Sequence, residues 1–400
     1  MEDNKEKNNA INGGCSIHTF EMCITPTAET LGLYLDILKT RFKYNAGRSY
    51  QDNEEYRKKE NLRYAAPVYL ARYRCYDNDE LFEHGLSFFC LKETIRVEGF
   101  SKEVIYRDIM FQVNPRILLG HSEYKYICIV PQNEIELIVD RLVEILKPLG
   151  FLESDIRFAV ITRLDVCTNI TLDSQEEARA YLKCLRKGGY YKRLYLKDKR
   201  FSETAHRYVY LNNEVKFVSR DPKPQRIRQE ISIYTKHDQM ENSEKGYDED
   251  EIITAEGQIR FEFRLFRRKI NYLLEKYRCN VEFELVLMSE AIGVDELLDR
   301  LAGLYGTGKM LKKEAAVSKI DKSTHRLSVR NVMKRIIEDT RKNNMVYAFD
   351  EYGGDKSRIM SYFNQLGISP ITIPASWEIE EFENPLTYIK TRNVNERELE

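Results

Sequence analysis

RFAVITRLDVCTNI, residues 157–170, is followed after three residues by SQEEARAYLKCLRKGG, residues 174–189, and the reading of this pair decides the fold. The first segment is rich in β-branched residues and contains neither Gly nor Pro, which predicts a strand. The second opens on a Ser174-x-x-Glu177 capping box and stops at Gly188 and Gly189, which predicts a helix. Upstream, NEIELIVDRLVEILKPLG (133–150) places Ile138, Leu142, Ile145 and Leu149 at helical spacing and closes on Gly150. Before it, short β-rich runs fill Pro67 to Val130: PVYLARYRCY, LSFFCL, TIRVEGF, VIYRDIMFQV and YKYICIV. Further strands are predicted at RYVYLNN, EVKFVS, IRQEISIYTK and QIRFEFRLF. Beyond about residue 275 the pattern turns helical, with DELLDRLAGLYG, VRNVMKRIIEDTRKN and KSRIMSYFNQLG. The expected class is therefore α+β, with antiparallel sheets, packed helices and a mainly helical C-terminal domain. The two β–α passages are candidates for two related halves.

These runs divide the chain into a flexible tail (1–16), an N-terminal α+β half (17–150), a second half (151–275), a helical domain (280–385) and a polar tail (386–400). Residues 45–63 are densely charged without apolar period, and 238–256 are acidic and read as a loop. The net charge of −1 gives no global argument for nucleic acid, so any such argument is local. No apolar run reaches the eighteen or so residues of a membrane span, and the polar start does not resemble an export leader. Eight scattered cysteines without a CxxC pair fit reduced thiols in a cytoplasmic protein better than disulfides or structural zinc.

Side chains alternate across a strand, so three strands can each be split into two faces. In RLDVCTNI, Arg163, Asp165, Cys167 and Asn169 oppose Leu164, Val166, Thr168 and Ile170. In ISIYTK, Ser232, Tyr234 and Lys236 oppose Ile231, Ile233 and Thr235; in RFEFRL, Arg260, Glu262 and Arg264 oppose Phe261, Phe263 and Leu265. The plainer reading is an antiparallel sheet with one wet face and cross-strand charge pairs. The chemical reading starts from two carboxylates, a phenol with a lysine on its own face, and flanking arginines. Two hard oxygen ligands suit Mg²⁺ or Mn²⁺. A phenol is a poor nucleophile until a cation or base lowers its pKa from about 10. The set suits metal-assisted attack of a tyrosine on a phosphodiester.

Local charge points the same way. Residues 183–236 carry fifteen Lys/Arg against five Asp/Glu, interleaved with aromatics, a pattern suited to single-stranded nucleic acid. An ordinary basic surface over core aromatics is the alternative. Lys192, Arg193 and Arg207 are the candidate DNA contacts in this stretch, beside Arg163, Arg260 and Arg264 on the strands.

TRLDV, IYTKH and IRFEFRL, in that order and roughly at these separations, resemble the gene-two-type replication endonucleases of filamentous phages and their phage and plasmid relatives. NPRILLGHS (114–122) is similar to a Pro…Leu…Gly-His-Asn stretch of that family, with Ser122 in place of the asparagine, so His121 receives no role. The resemblance covers about 112 to 275. It implies a Rep-nuclease-like core and a rolling-circle initiator that nicks one strand of supercoiled origin DNA, stays joined to it through tyrosine, and later rejoins it. Carried over residue by residue, Tyr234 is the nucleophile, and Asp165 and Glu262 are the metal-binding acids. Lys236 favours the phenolate, and Arg163, Arg260 and Arg264 position phosphates. Single-stranded origin DNA, a host helicase and a polymerase are the implied partners. His237 falls on the strand face opposite Tyr234, which argues against it as a ligand.

Tyr208 and Tyr210 in RYVYLNN share a strand face and are rival nucleophiles, without an adjacent lysine. GLYGTGKM (303–310) fits GxxxxGK, yet Met310 stands where a Mg²⁺-binding Ser/Thr belongs, and a helix precedes it. KSRIMSYFNQLG (356–367) is a candidate DNA-recognition helix; a packing or dimerisation role is equally open. Two other functions remain open: a relaxase of a mobile element, and a non-enzymatic origin-binding or regulatory protein.

Overall fold

The computed structural model describes residues 14–27, 29–34, 44–45, 67–74, 80–98, 102–121, 126–189, 194–197, 199–202, 207–210, 214–220, 227–243 and 247–389. It is a mixed α and β protein with antiparallel strand pairing, as the pattern predicts. Residues 1–13 of the N-terminal tail, the charged 45–63 segment beyond Asn45, and Lys192 and Arg193 lie outside the described residues. By Cα proximity the chain forms two units that interleave along the sequence. One holds Ser16–Val166 and Leu265–Ser289; the other holds Cys167–Arg264 and Glu290–Glu400 together with the N-terminal residues. The sequence reading drew consecutive domains instead.

In the first unit, β1 (Ser16–Ile24), β2 (Tyr44–Asn45), β3 (Pro67–Arg74), β4 (Leu86–Glu98) and β5 (Lys102–Val113) lie in the order β2-β3-β4-β5-β1, each pair antiparallel. LSFFCL and TIRVEGF, read as two strands, are one continuous strand, β4. Helix α1 (Leu137–Leu146) buries Ile138, Leu142, Val143 and Leu146, so its inward stripe is turned slightly from the predicted one. Gly150 then ends a 3₁₀ turn with φ 102°, the left-handed stop that glycine supplies. YKYICIV does not form the predicted strand where it is described. Ile127, Cys128, Ile129 and Val130 are buried in turn and coil. Their backbone is satisfied in part by Ser16, whose hydroxyl donates to Val130 O at 2.6 Å. A short apolar run signals burial, not secondary structure.

β6 (Val160–Thr171) passes from this unit into the second at Val166/Cys167. The second unit continues with α2 (Gln175–Leu185), β7 (Tyr195–Lys197), the hairpin β8 (Lys199–Ser202) and β9 (Arg207–Tyr210), β10 (Glu214–Arg220) and β11 (Ile227–Thr235). After α3 (Lys236–Glu241) and a helix at Glu249–Thr254 comes β12 (Gln258–Phe266), and the order is β12-β11-β10-β7. The two helices replace much of the loop expected at 238–256. The Ser174 hydroxyl accepts from Glu177 N at 3.1 Å, while Glu177 reaches back to Asp173 N at 3.1 Å. Gly188 is needed for space: a Cβ there would stand 2.6 Å from the Tyr305 ring. Gly257 has φ +72°, and a Cβ would meet Leu172 O at 2.3 Å; its N–H donates to Gln175 Oε1 at 3.0 Å. That bend sets where β12 begins. The C-terminal part is helical as expected: α4 (Lys313–Asp321), α5 (Leu327–Lys342), α6 (Met345–Tyr352) and α7 (Lys356–Gln365). Gly308 packs on the backbone of Ile368 and Lys309 pairs with Glu381 and Glu383, so GLYGTGKM is not a phosphate loop.

Candidate active site

Alternation along β10, β11 and β12 puts a polar face on each strand of the second unit, and packing closes that face over. β11 has Glu230 at 5 %, Ser232 at 4 % and Tyr234 at 7 % exposure, and Arg260 of β12 is fully buried. The middle of the face that the plainer reading left wet is therefore buried, with Glu214, Lys216 and Arg264 partly exposed at its margin, and its buried polar groups must satisfy each other.

They do so in a connected set. Tyr234 donates its hydroxyl hydrogen to Glu262 Oε2 at 2.9 Å. Arg264 holds the same carboxylate through Glu262 Oε1 and reaches Glu230 Oε1 at 3.3 Å. Cross-strand register sets Glu214 opposite Tyr234 and Lys216 opposite Ser232. Lys216 Nζ bridges Glu214 at 3.0 Å and Glu230 at 3.1 Å. Arg260 donates to Asn169 Oδ1 at 2.9 Å and also lies against the Tyr234 hydroxyl. Three carboxylates (Glu214, Glu230, Glu262) thus meet three cations (Lys216, Arg260, Arg264).

Electrostatics follow from that arrangement. Burial pushes the Tyr234 phenol well above the usual range, and the Glu262 charge adds to it, while Arg260 pulls the other way. Burial alone would lower Lys216, but Glu214 and Glu230 outweigh it and raise its pKa. The phenol is accordingly protonated at neutral pH, with a carboxylate hydrogen-bonded to it.

Lys236 differs from the sequence reading. β11 ends at Thr235, and Lys236 is the first residue of α3, not a strand neighbour of Tyr234. Its ammonium donates to Gln239 Oε1 at 2.7 Å and lies 6.0 Å from the centroid of the Tyr234 ring. It faces the ring and does not offset the upward shift of the phenol. The same start of helix carries His237 into a cluster with Asp238 and Glu241, with His237 Nδ1 3.5 Å from Asp238 and 3.8 Å from Glu241. Asp238 is already occupied there. It accepts from Arg179 at 2.6 Å, Gln175 at 2.9 Å and Thr235 at 2.7 Å, which makes it a clamp between α2 and the end of β11.

Asp165 and Arg163 belong to the first unit. Asp165 is fully buried and takes three bonds from Arg163, the shortest at 2.8 Å, and one from the Thr19 hydroxyl at 2.9 Å; Arg163 also pairs with Glu21. His121 sits 2.5 Å from Glu134 and takes part in no catalytic set. Asp165 and Glu262, the two expected metal acids, are each already held by an arginine. A divalent ion at either would have to share the carboxylate with that arginine against its positive charge, and the balanced charges around Glu262 leave no surplus to attract it. The residues as placed do not fit a resident metal at Glu262.

Arg207, Tyr208 and Tyr210 are described by backbone alone: Tyr208 stands opposite Phe201, and Tyr210 opposite Lys199, in the β8–β9 hairpin. Part of the basic 183–236 stretch has structural work. Lys187 Nζ donates to Asn343 O at 2.5 Å and Arg341 O at 3.3 Å, capping the end of α5. Glu230, Glu214, Lys216, Thr19 and Glu21 are missed by the sequence reading. The available signal for the first three was alternation, because Glu230 is two residues before Ser232, on the face of Tyr234. No protein-family model, curated protein or solved structure matches this chain.

Proposed function

We propose that the protein is a DNA-nicking and strand-joining enzyme that acts through Tyr234, as in the replication endonucleases its motifs resemble. The observation that carries this reading is the Tyr234 hydroxyl hydrogen-bonded to the Glu262 carboxylate, which Arg264 in turn holds. Nucleophile, proton acceptor and orienting group stand in sequence, the arrangement that activates a weak nucleophile. In the proposed step the phenol oxygen attacks phosphorus and its proton passes to Glu262. The bond from phosphorus to O3′ breaks, and the leaving oxygen takes a proton from water. A 5′-phosphotyrosyl link and a free 3′-hydroxyl result, and the reverse step rejoins the strand. Arg260, beside the hydroxyl, would offset charge on the phosphate oxygens. No step is routed through a metal. Tyr234 retains 7 % of its surface, so a phosphate reaches it only when the groups covering it move aside.

That burial and the balanced charges favour a second reading, in which the set is a structural ion-pair network and the chain binds DNA without cutting it. One experiment separates them. Supercoiled DNA from the element encoding this chain is incubated with wild type or Tyr234→Phe, with Mn²⁺ or EDTA, and resolved on a denaturing gel. A covalent adduct lost only in Tyr234→Phe supports the enzyme. An adduct that persists moves the chemistry to Tyr208 or Tyr210. Binding without adduct or nick supports the structural reading.

A further inference from the structure

The helix α5 leaves its first turn and a half outside the core. Its buried residues are Met333, Ile336, Ile337 and Thr340; none lies between 327 and 332. The projecting part spans about 9 Å at 1.5 Å per residue. Leu327 is 63 % exposed, Ser328 and Asn331 are exposed, and the Arg335 side chain is 66 % exposed. At spacings of three and four these four residues make one outward stripe.

The turn that delivers this stripe is fixed. Arg330 Nη1 donates back to Asp321 O at 2.7 Å, Lys334 pairs with the Asp321 carboxylate, and Ser323 Oγ donates to Ile320 O at 2.7 Å. His325 packs against Tyr362 of α7 with ring centroids 4.8 Å apart and planes tilted by 56°. Between 319 and 335 the chain has six Lys/Arg and a single acid, Asp321. With Arg330 and Lys334 committed to Asp321, and Arg335 paired with Asp339 at 3.5 Å, the exposed Lys319, Lys322 and Arg326 form a cationic rim before the stripe.

We propose that α4, the turn and α5 form a helix-turn-helix surface for double-stranded DNA, with the start of α5 as the element that enters the major groove. The groove is about 12 Å wide and admits a helix; leucine suits a thymine methyl, asparagine pairs with adenine, and the cationic rim suits phosphates on either side. This relocates the recognition helix from α7, where the sequence reading put it. In α7, Lys356 pairs with Asp350, Arg358 Nε donates to Tyr362 at 3.0 Å, and the Asp355 carboxylate caps the helix start, where it would repel a phosphate. The inference stands apart from the tyrosine chemistry, since a duplex-binding surface serves an initiator and a non-enzymatic origin binder alike.

The test uses the full chain, a fluorescein-labelled 30-base-pair duplex of mixed sequence and the matching single strand. Anisotropy is read across a salt series. Lys322→Glu with Arg326→Glu is compared with Arg341→Glu with Lys342→Glu, which makes the same charge change at the far end of α5, about 20 Å along the helix. Far-UV circular dichroism and thermal melting establish that each folds. The first pair is expected to weaken duplex binding at least about tenfold and to flatten the log–log salt slope by about 1.8, two phosphate contacts' worth. The second pair is expected to lose less than about threefold. On a single-stranded oligonucleotide the adduct yield of Lys322→Glu with Arg326→Glu should match wild type, which keeps this test separate from that of Tyr234. Equal weakening by both pairs, no weakening by either, or no duplex binding by wild type overturns the proposal.

Discussion

Replacing Glu262 by glutamine tests the proposed proton transfer most directly. Glutamine keeps the shape and the contact to Tyr234 but cannot take up the phenol's proton. The loss it should cause can be worked from the site. Removing the carboxylate charge takes away the Glu262 contribution that raises Tyr234, so the phenol moves down toward its ordinary value, with burial, the largest cause, still raising it and Arg260 still pulling the other way. With a pKa of about 10, the phenolate fraction at pH 7.5 is about 1 in 300. Burial remains and works against the phenolate. Without a base the attack must draw on this fraction, so the single-turnover rate of adduct formation should fall by at least about 300-fold, within the 10²–10⁴ ascribed to general bases. The variant's rate should also climb tenfold per pH unit from 7 to 9, because each unit multiplies the phenolate by ten. Wild type should be flat over that range. The assay is a quenched time course with a labelled single-stranded oligonucleotide in excess protein, at half-unit pH steps. A variant within tenfold of wild type, or one with a flat pH profile, refutes Glu262 as the acceptor.

Three further outcomes are expected. Gly257→Ala should destabilise the protein by about 2–5 kcal/mol in urea denaturation, combining left-handed strain with a clash against Leu172 O; a change below about 0.5 kcal/mol would show that β12 begins differently. Burial pushes the Asp238 carboxyl up, but the Arg179, Thr235 and Gln175 hydrogen bonds outweigh it and hold it below its usual value. The stability that wild type has over Asp238→Asn should therefore be full above about pH 3.9, the unfolded-state value, and shrink as pH falls through the lower folded-state value. A difference that persists at still lower pH, or that shrinks toward alkaline pH, contradicts that. Finally, because Glu262 and Asp165 are already paired with arginines, millimolar Mn²⁺ in place of EDTA should move the melting temperature of the free protein by less than about 2 °C; a larger rise would reveal a resident ion.

Much of the fold was legible because long periodic segments dominate it. The strand at 160–171, its following helix with the Ser174 cap, β12 and the C-terminal helices follow directly from alternation, capping and turn residues. What was not legible came from tertiary placement. Lys236 looked like a strand residue because ISIYTK alternates through it, yet the Asp238 clamp to Arg179 and Gln175 starts a helix one residue after Thr235. YKYICIV is apolar enough for a strand, and its described part is buried as coil because Ser16 supplies a hydrogen bond. The partners of Tyr234 were half visible. Glu262 was named as a metal ligand because a carboxylate between arginines can be either, and only coordinates show the phenol donating to it.

The Tyr234 hydroxyl carries no charge, so the ion pairs of the buried set do not depend on it. Glu262 already has Arg264, Arg260 already has Asn169, and Glu230 has Lys216 and Arg264. A buried ion-pair set is commonly no more stable than apolar side chains of the same volume, so its presence is weak grounds for a purely structural role. Removing the hydroxyl leaves these ion pairs in place and forfeits its hydrogen bonds to Glu262 and Arg260, about 1.5–3 kcal/mol each. Tyr234→Phe should therefore fold with its sheet intact. Loss of the adduct in that variant would report on chemistry and not on collapse of the site. Removing Arg264, by contrast, takes the ion pair away from the buried Glu262 carboxylate at a cost of about 3–5 kcal/mol, and lost activity in that variant would not distinguish the two readings.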